Sequence, residues 1–281
     1  MELETDDIPC ETLKRLRARA LDLRRNMVVQ AAGKGQGYLG QGLGLADFLA
    51  VLFFYEMRFD PKHPEWAERD RFYLSTGHYS IALWAALAEA GYIEKAALGS
   101  YGADGSPLEM STIEGRVAGV EMTGGSLGHG LGIAVGAALG YRLDRRSARI
   151  FVEISDGELQ EGSTWEAATV ASTLGLDNLI CFIDCNGIQA DGPMVVNIEP
   201  VAAKWRAFGW DTIEIDGNSI EQLVAAFRWA RQARQQPKAV VLRTKPGTGV
   251  ARLAAREKAH FVHVDANEWD LIAIELEEEN G

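Results

Sequence analysis

The sequence predicts an α/β fold in which a mostly parallel sheet of about five or six strands is flanked by helices. From residue 149 onward, short apolar runs alternate with helical segments. Such strand–helix–strand repetition is typical of a parallel sheet with both faces covered. The chain has 281 residues, of which 47% are hydrophobic and 24% charged. That length and composition suit a globular protein with a large core.

The elements follow in chain order. The N-terminal part is predicted to contain a helix over 10–32, a glycine-rich loop over 33–44 and a helix over 45–55. A strand over 71–74 leads into a helix that ends near 90, a loop over 99–125, and a helix over 126–141. The alternating part has strands at 149–154, 179–184, 211–215 and 239–243, with helices at 157–174, 201–208, 219–233 and 268–278.

No linker divides the sequence, so we expect one domain over 1–281 with flexible ends at 1–9 and 279–281. The net charge of −12 argues against a partner that is a nucleic acid or an anionic membrane. The start of the chain is acidic and no apolar run of 18 residues is present, so neither a secretory signal nor a membrane span is expected. Three cysteines do not make a disulfide framework, and a cytoplasmic location fits best.

Polar residues follow two of the predicted strands. Asp156-Gly157 comes directly after one strand, and Asn186 follows the next strand thirty residues later. Adjacent parallel strands place such residues side by side at one edge of the sheet. The Asp156 carboxylate, the Asn186 amide oxygen and the backbone carbonyl of Ile188 form a set of oxygen ligands that suits Mg²⁺ and a phosphate. A helix that opens at Gly157–Glu158 offers unpaired N–H groups to that phosphate.

This Asp-Gly…Asn pattern resembles the thiamine diphosphate binding motif. The wider sequence, over about 10–270, resembles the N-terminal, diphosphate-binding half of transketolases in several stretches: Asp47–Phe54, Ser75–His78, Gly125–Gly130, Gly157–Gly162 and Asn186–Pro193. The resemblance implies a thiamine-diphosphate-binding fold of the diphosphate-binding type. It also implies thiamine diphosphate with Mg²⁺, or with another divalent cation such as Ca²⁺ or Mn²⁺.

Complete transketolases continue with a pyrimidine-binding domain and a C-terminal domain, which this sequence does not contain. The chain therefore resembles the first subunit of a split transketolase. That resemblance implies a C-terminal transketolase subunit as partner, an α2β2 assembly, and activity only with the partner present. The reaction implied is transfer of a two-carbon ketol unit between small keto and aldehyde substrates.

The resemblance also assigns roles to single residues. The implied catalytic residues are His78 beside the thiazolium, His260 near the diphosphate, and Glu161 at the subunit interface that links paired active sites. His263 competes with His260 for its role, and His78 and Glu161 also suit plain capping or charge compensation at a helix start. The implied cofactor-binding residues are His78, Gly125, Ser126, Leu127, Asp156, Gly157, Glu158 and Asn186, and the implied metal ligands are Asp156, Asn186 and Ile188.

Three substrate positions depart from the family pattern. Tyr38 and Ser111 stand where transketolases have histidines that contact the sugar, and His129 stands where glutamine is usual. These departures imply a changed donor or acceptor. Two other functions remain open: the α subunit of a 2-oxo-acid dehydrogenase, and a non-catalytic thiamine diphosphate-binding or regulatory subunit.

Overall fold

The structure is a computed structural model that describes residue 5 and residues 7–190, 192–232, 235–256 and 258–280. The expected flexible ends, 1–9 and 279–281, lie partly outside these residues and stay a prediction. Within the described part, the first helix, α1, begins at Cys10 and the last, α9, ends at Asn280.

The centre of the molecule is a sheet of five parallel strands, which confirms the predicted fold class. In chain order the strands are β1 (Arg71–Leu74), β2 (Ile150–Ser155), β3 (Leu179–Cys185), β4 (Asp211–Asp216) and β5 (Lys238–Arg243). Their spatial order is β1-β2-β3-β5-β4. Since all five run the same way, the ends of β1, β2 and β3 meet at one edge of the sheet.

Helices cover both faces of the sheet. They are α1 (Cys10–Lys34), α2 (Leu39–Val51), α3 (Ser80–Glu89), α4 (Gly130–Leu143), α5 (Gly162–Thr173), α6 (Val201–Ala207), α7 (Ile220–Ala230), α8 (Ala251–Ala254) and α9 (Trp269–Asn280). Alternate strand residues enter opposite cores, as the two-residue period of a strand requires. Phe151 and Phe182 join the core under α1, α2, α3 and α7, whereas Val152 and Cys181 join the core under α4, α5 and α6.

Three helix starts differ from the sequence expectation. Helix α2 begins inside the stretch predicted as a glycine-rich loop, α4 begins at residue 130 rather than 126, and α5 begins at 162 after a 3₁₀ turn over Gly157–Gln160. In α2 the low helix propensity of glycine is overridden by packing. A Cβ on Gly40 would lie 2.1 Å from the carbonyl oxygen of Ala259, so this helix needs glycine to approach the later chain.

One segment, Leu39–Glu56, is long and apolar enough to cross a membrane by length and composition, with a mean hydropathy of 1.2. However, 89% of it is buried inside the protein, where it packs against α1, α3 and α7. The segment is therefore a core helix.

Two short antiparallel ladders shape the loops near the strand ends. Gln36–Gly37 pairs with Val262–His263, and Ile188–Gln189 pairs with Gly192–Pro193. The first ladder ties the chain around residue 260 to the start of α2. The second gives the loop after β3 its turn.

The close approach at Gly40 predicts a large effect for one methyl group. Gly40→Ala should destabilise the protein by about 1–3 kcal/mol, because the new Cβ overlaps backbone of the segment that carries His260. Gly136→Ala, at an exposed position of α4, is the control, since nothing lies within 4 Å of its Cβ. It should be neutral or stabilise the protein by up to about 1 kcal/mol. Chemical denaturation measures both, and equal effects would contradict the close contact.

Candidate active site

The ends of strands β2 and β3 are joined by hydrogen bonds. Ser155 and Asp184 are register partners, and the Asp156 N–H donates to the carbonyl of Asp184 at 2.9 Å. One carboxylate oxygen of Asp156 then accepts the N–H of Gly187 at 2.7 Å. The prediction that Asp156 and Asn186 lie side by side is therefore confirmed.

Asn186 is held from both ends of its amide. Its oxygen accepts the N–H of Ile188 at 3.0 Å, and its NH₂ group donates to Asp184 at 2.8 Å and to the Tyr79 hydroxyl at 2.9 Å. The loop that carries Ile188 thus folds back beside Asp156. All three predicted metal ligands therefore lie close together at the ends of β2 and β3.

The electrostatics of this turn suit a divalent cation. Asp156 is 3% exposed, and burial together with the charge of Asp184 raises its pKa to about 7. Burial also raises the pKa of Asp184 and of Glu153, which lies on β2. Repelling, desolvated carboxylates gain most from a bound cation. Among the described residues, no group of three or more His, Cys, Asp and Glu side chains is arranged for a metal. Carboxylate, amide and carbonyl oxygens, which Asp156, Asn186 and Ile188 supply, are the ligand types that Mg²⁺ prefers.

An open cleft of about 950 Å³ lies above these strand ends. Ten of the residues predicted from the sequence line it: Tyr38, His78, Ser111, Gly125, Leu127, Asp156, Gly157, Glu161, Ile188 and His260. A Cβ on Gly157 would have only one neighbour within 4 Å, at 3.7 Å, so the floor of the cleft is open at this glycine. Asn186 and Asp156 line an adjoining cavity of about 560 Å³.

Aromatic rings from distant parts of the sequence meet on one wall of the cleft. The ring of Tyr38 lies 5.0 Å from that of His78, 5.4 Å from that of His260 and 4.9 Å from that of Phe261. His78 and His260 stack at 5.3 Å. Burial and the neighbouring His260 lower the pKa of His78 to about 3, so its imidazole is neutral at ordinary pH. Of the two candidate late histidines, His260 faces the cleft, while His263 is exposed.

Glu158 does not face the cleft. Its side chain is fully buried and accepts hydrogen bonds from the Gly128 N–H, at 2.8 Å, and from the Ser75 hydroxyl. Its own N–H donates to the Ser155 hydroxyl at 3.2 Å, and the Gly157 N–H donates to Asp156 at 2.8 Å. The expectation of unpaired N–H groups here is therefore wrong: neighbouring side chains already accept from both. Glu158 instead anchors the loop that carries Gly125 and Leu127.

Two predicted residues lie away from the cleft. Ser126 and His129 are exposed and are not among the cleft-lining residues. His129 directly precedes α4, and its N–H donates to the carbonyl of Ser126. Glu161, by contrast, is exposed at the rim of the cleft.

Four residues of this region were not predicted from the sequence: Tyr79, Glu153, Asp184 and Phe261. A signal existed for Glu153 and Asp184, since each is a carboxylate inside an otherwise apolar strand. Burying a carboxylate in that position is costly unless it is paired or hydrogen-bonded, so such residues often lie at a site. Tyr79 and Phe261 gave no comparable signal, because aromatic residues are ordinary core material.

Residues 13–277 match the family model for the thiamine diphosphate binding domain of transketolase. A transketolase family protein of Sinorhizobium fredii is 52% identical over 256 residues, covering 89% of this chain and 91% of that protein. The 6-deoxy-6-sulfo-D-fructose transketolase subunit SqwG of a Clostridium species is 39% identical, covering 92% and 94%.

A solved transketolase from Pichia stipitis superposes with a TM-score of 0.86 at 31% identity. The match covers 95% of this chain and 40% of that structure. The chain therefore spans about two-fifths of this longer protein.

The raised pKa of Asp156 predicts a pH effect on stability when cations are removed. Between about pH 4 and 7 the folded state keeps a proton that the unfolded chain, with an aspartate pKa of about 3.9, has released. In EDTA the wild-type chain should therefore lose stability relative to Asp156→Asn as pH rises through this range. Melting curves of both proteins measure the difference, and a constant gap between them would contradict the burial of an ionisable Asp156.

Proposed function

The chain belongs to the transketolase family, and on that premise we propose that it is the diphosphate- and cation-binding subunit of a two-component, thiamine diphosphate-dependent transketolase. The observation that carries the proposal is that the Gly187 N–H binds the Asp156 carboxylate, which brings Asn186 and Ile188 next to Asp156 beside the cleft. The reaction is transfer of a two-carbon ketol, or a related acyl anion, unit to an aldehyde acceptor.

A partner chain completes the enzyme in this proposal. SqwG, which this chain covers over 94% of its length, is named a subunit, and the full-length Pichia enzyme is more than twice as long as the matched part. We propose a C-terminal transketolase subunit as partner, an α2β2 assembly and a cytoplasmic location. Glu161, exposed at the rim, suits the edge where the partner would meet the cleft.

Asp156, Asn186 and the carbonyl of Ile188 would hold Mg²⁺, or Ca²⁺ or Mn²⁺ in its place. Gly125, Leu127 and Gly157 would form the cofactor wall. When bound, thiamine diphosphate supplies the electron sink that this family's chemistry requires.

His78 serves as a neutral hydrogen-bonding group in this proposal. Because the pKa of His78 is about 3, its ring can donate from one nitrogen and accept at the other throughout the physiological range. His260 stacks on it and fixes its plane. These two rings would orient the reacting oxygens of the substrate.

The assembly isolated from its own host through a tagged copy of this chain tests the proposal. Native mass spectrometry should show two copies of each of two different chains with two thiamine diphosphates bound. The Asp156→Ala variant should assemble but retain no cofactor, because it lacks the only carboxylate of the proposed ligand set. The isolated chain should not turn over a ketose with added thiamine diphosphate and Mg²⁺.

Other results point to other functions. A homodimer without cofactor would contradict the proposal and favour a non-catalytic subunit. Formation of an acyl-lipoyl product by the assembly would favour a 2-oxo-acid dehydrogenase instead.

Tyr38 and Ser111 should set the sugar preference. Both line the cleft, and the Ser111 hydroxyl donates to the carbonyl of Gly124 at 3.2 Å, close to Gly125. In the assembled enzyme, the double variant Tyr38→His/Ser111→His should raise kcat/KM for common ketose phosphates by roughly 10-fold or more, since imidazoles that handle substrate protons contribute on that scale. Tyr38→Phe, which keeps the ring, is the control and should give no such gain. No gain in the double variant would count against a specificity role.

A further inference from the structure

Asp184 is hydrogen-bonded to two of the proposed cation ligands, Asp156 and Asn186. The inference drawn from it rests on the proposed function. It lies near the end of β3 and is 1% exposed. Its backbone carbonyl accepts the Asp156 N–H at 2.9 Å, and its carboxylate accepts the Asn186 NH₂ at 2.8 Å. No role in metal binding falls to it directly, because its side chain is saturated by other donors.

Three donors surround that carboxylate. Besides Asn186, the Thr244 hydroxyl donates to its second oxygen, and the Tyr79 hydroxyl is a further hydrogen-bond partner. Thr244 directly follows β5, the strand that pairs with β3 on the other side from β2. The carboxylate is thus fixed between strands and has little freedom to turn.

The fixed carboxylate decides which way the Asn186 amide faces. A carboxylate can only accept, so it requires the NH₂ of the amide on its own side. The Ile188 N–H, at the opposite end, can only donate and requires the amide oxygen. A flipped amide would place two donors where an oxygen ligand is needed and would break both bonds.

We propose that Asp184 is a positioning residue for the cation site, which holds the Asn186 amide with its oxygen directed to the side of Ile188 and Asp156. Removing the carboxylate leaves the ligand atoms in the chain but frees the amide to turn. Partners that orient a metal ligand in this way typically change metal affinity by about 10–100-fold when lost.

The structure contains a matched control in Glu153. It lies on the adjacent strand β2, is equally buried, and accepts a hydrogen bond from Thr76. No hydrogen bond joins it to Asn186 among the described contacts. Changing Glu153 therefore removes a buried carboxyl group from the same region without releasing the amide.

The test is binding of Mn²⁺ to the full chain in a buffer without chelating anions, followed by loss of the free-ion signal in electron paramagnetic resonance. Asp184→Leu should weaken Mn²⁺ binding by about 10-fold or more, and Glu153→Leu by less than about 3-fold. Asp184→Asn keeps an acceptor oxygen but loses the charge, so it should recover at least half of the lost affinity on a logarithmic scale.

Each other result overturns the inference. Equal losses in Asp184→Leu and Glu153→Leu would indicate a general charge or packing effect, and Asp184→Asn as weak as Asp184→Leu would indicate charge alone. If circular dichroism shows Asp184→Leu unfolded, Thr244→Val decides: it should weaken binding by about 3-fold with the charge intact, and unchanged affinity contradicts positioning. Absence of Mn²⁺ binding by the wild-type chain would instead contradict the cation site and the proposed function.

Discussion

The hydrogen bond from the Gly187 amide to the Asp156 carboxylate is the contact on which the cleft depends. It closes the gap between the ends of two parallel strands and turns the loop after β3 back toward β2. It holds Gly187, which lies between Asn186 and Ile188, against Asp156, so the oxygens of the three proposed ligands come close together. The parallel sheet places the ends of β2 and β3 side by side, and this bond joins the loops that follow them.

The part of the site that depends on this edge was predictable from sequence. Parallel pairing fixes which residues emerge together, so an Asp-Gly after one strand and an Asn after the next determine their own proximity. Directions of single side chains were not predictable in the same way. Glu158 follows Asp156 by two residues, yet it points inward because Ser75 and Gly128, far away in sequence, offer it donors.

The contact between the aromatic side chains on one wall of the cleft could not be predicted from the sequence either. Tyr38 and His260 come from opposite ends of the chain and meet because Gln36–Gly37 pairs with Val262–His263. Each partner strand has only two residues, too short for a pattern of apolar periodicity to reveal. The helical start of α2 was missed for a related reason, since the glycines that weaken it locally are the residues that let Ala259 approach.

The charges that line the cleft explain why a diphosphate would need a cation in order to bind there. The described residues that line it include two histidines, of which His78 is neutral, and no lysine or arginine. They also include the carboxylates of Glu109, Asp156 and Glu161. A diphosphate placed there would meet negative charge on several sides, and the Gly157 amide is already committed to Asp156. Because no lysine or arginine is among the described residues that line the cleft, a divalent cation held at Asp156 would supply positive charge for such a ligand.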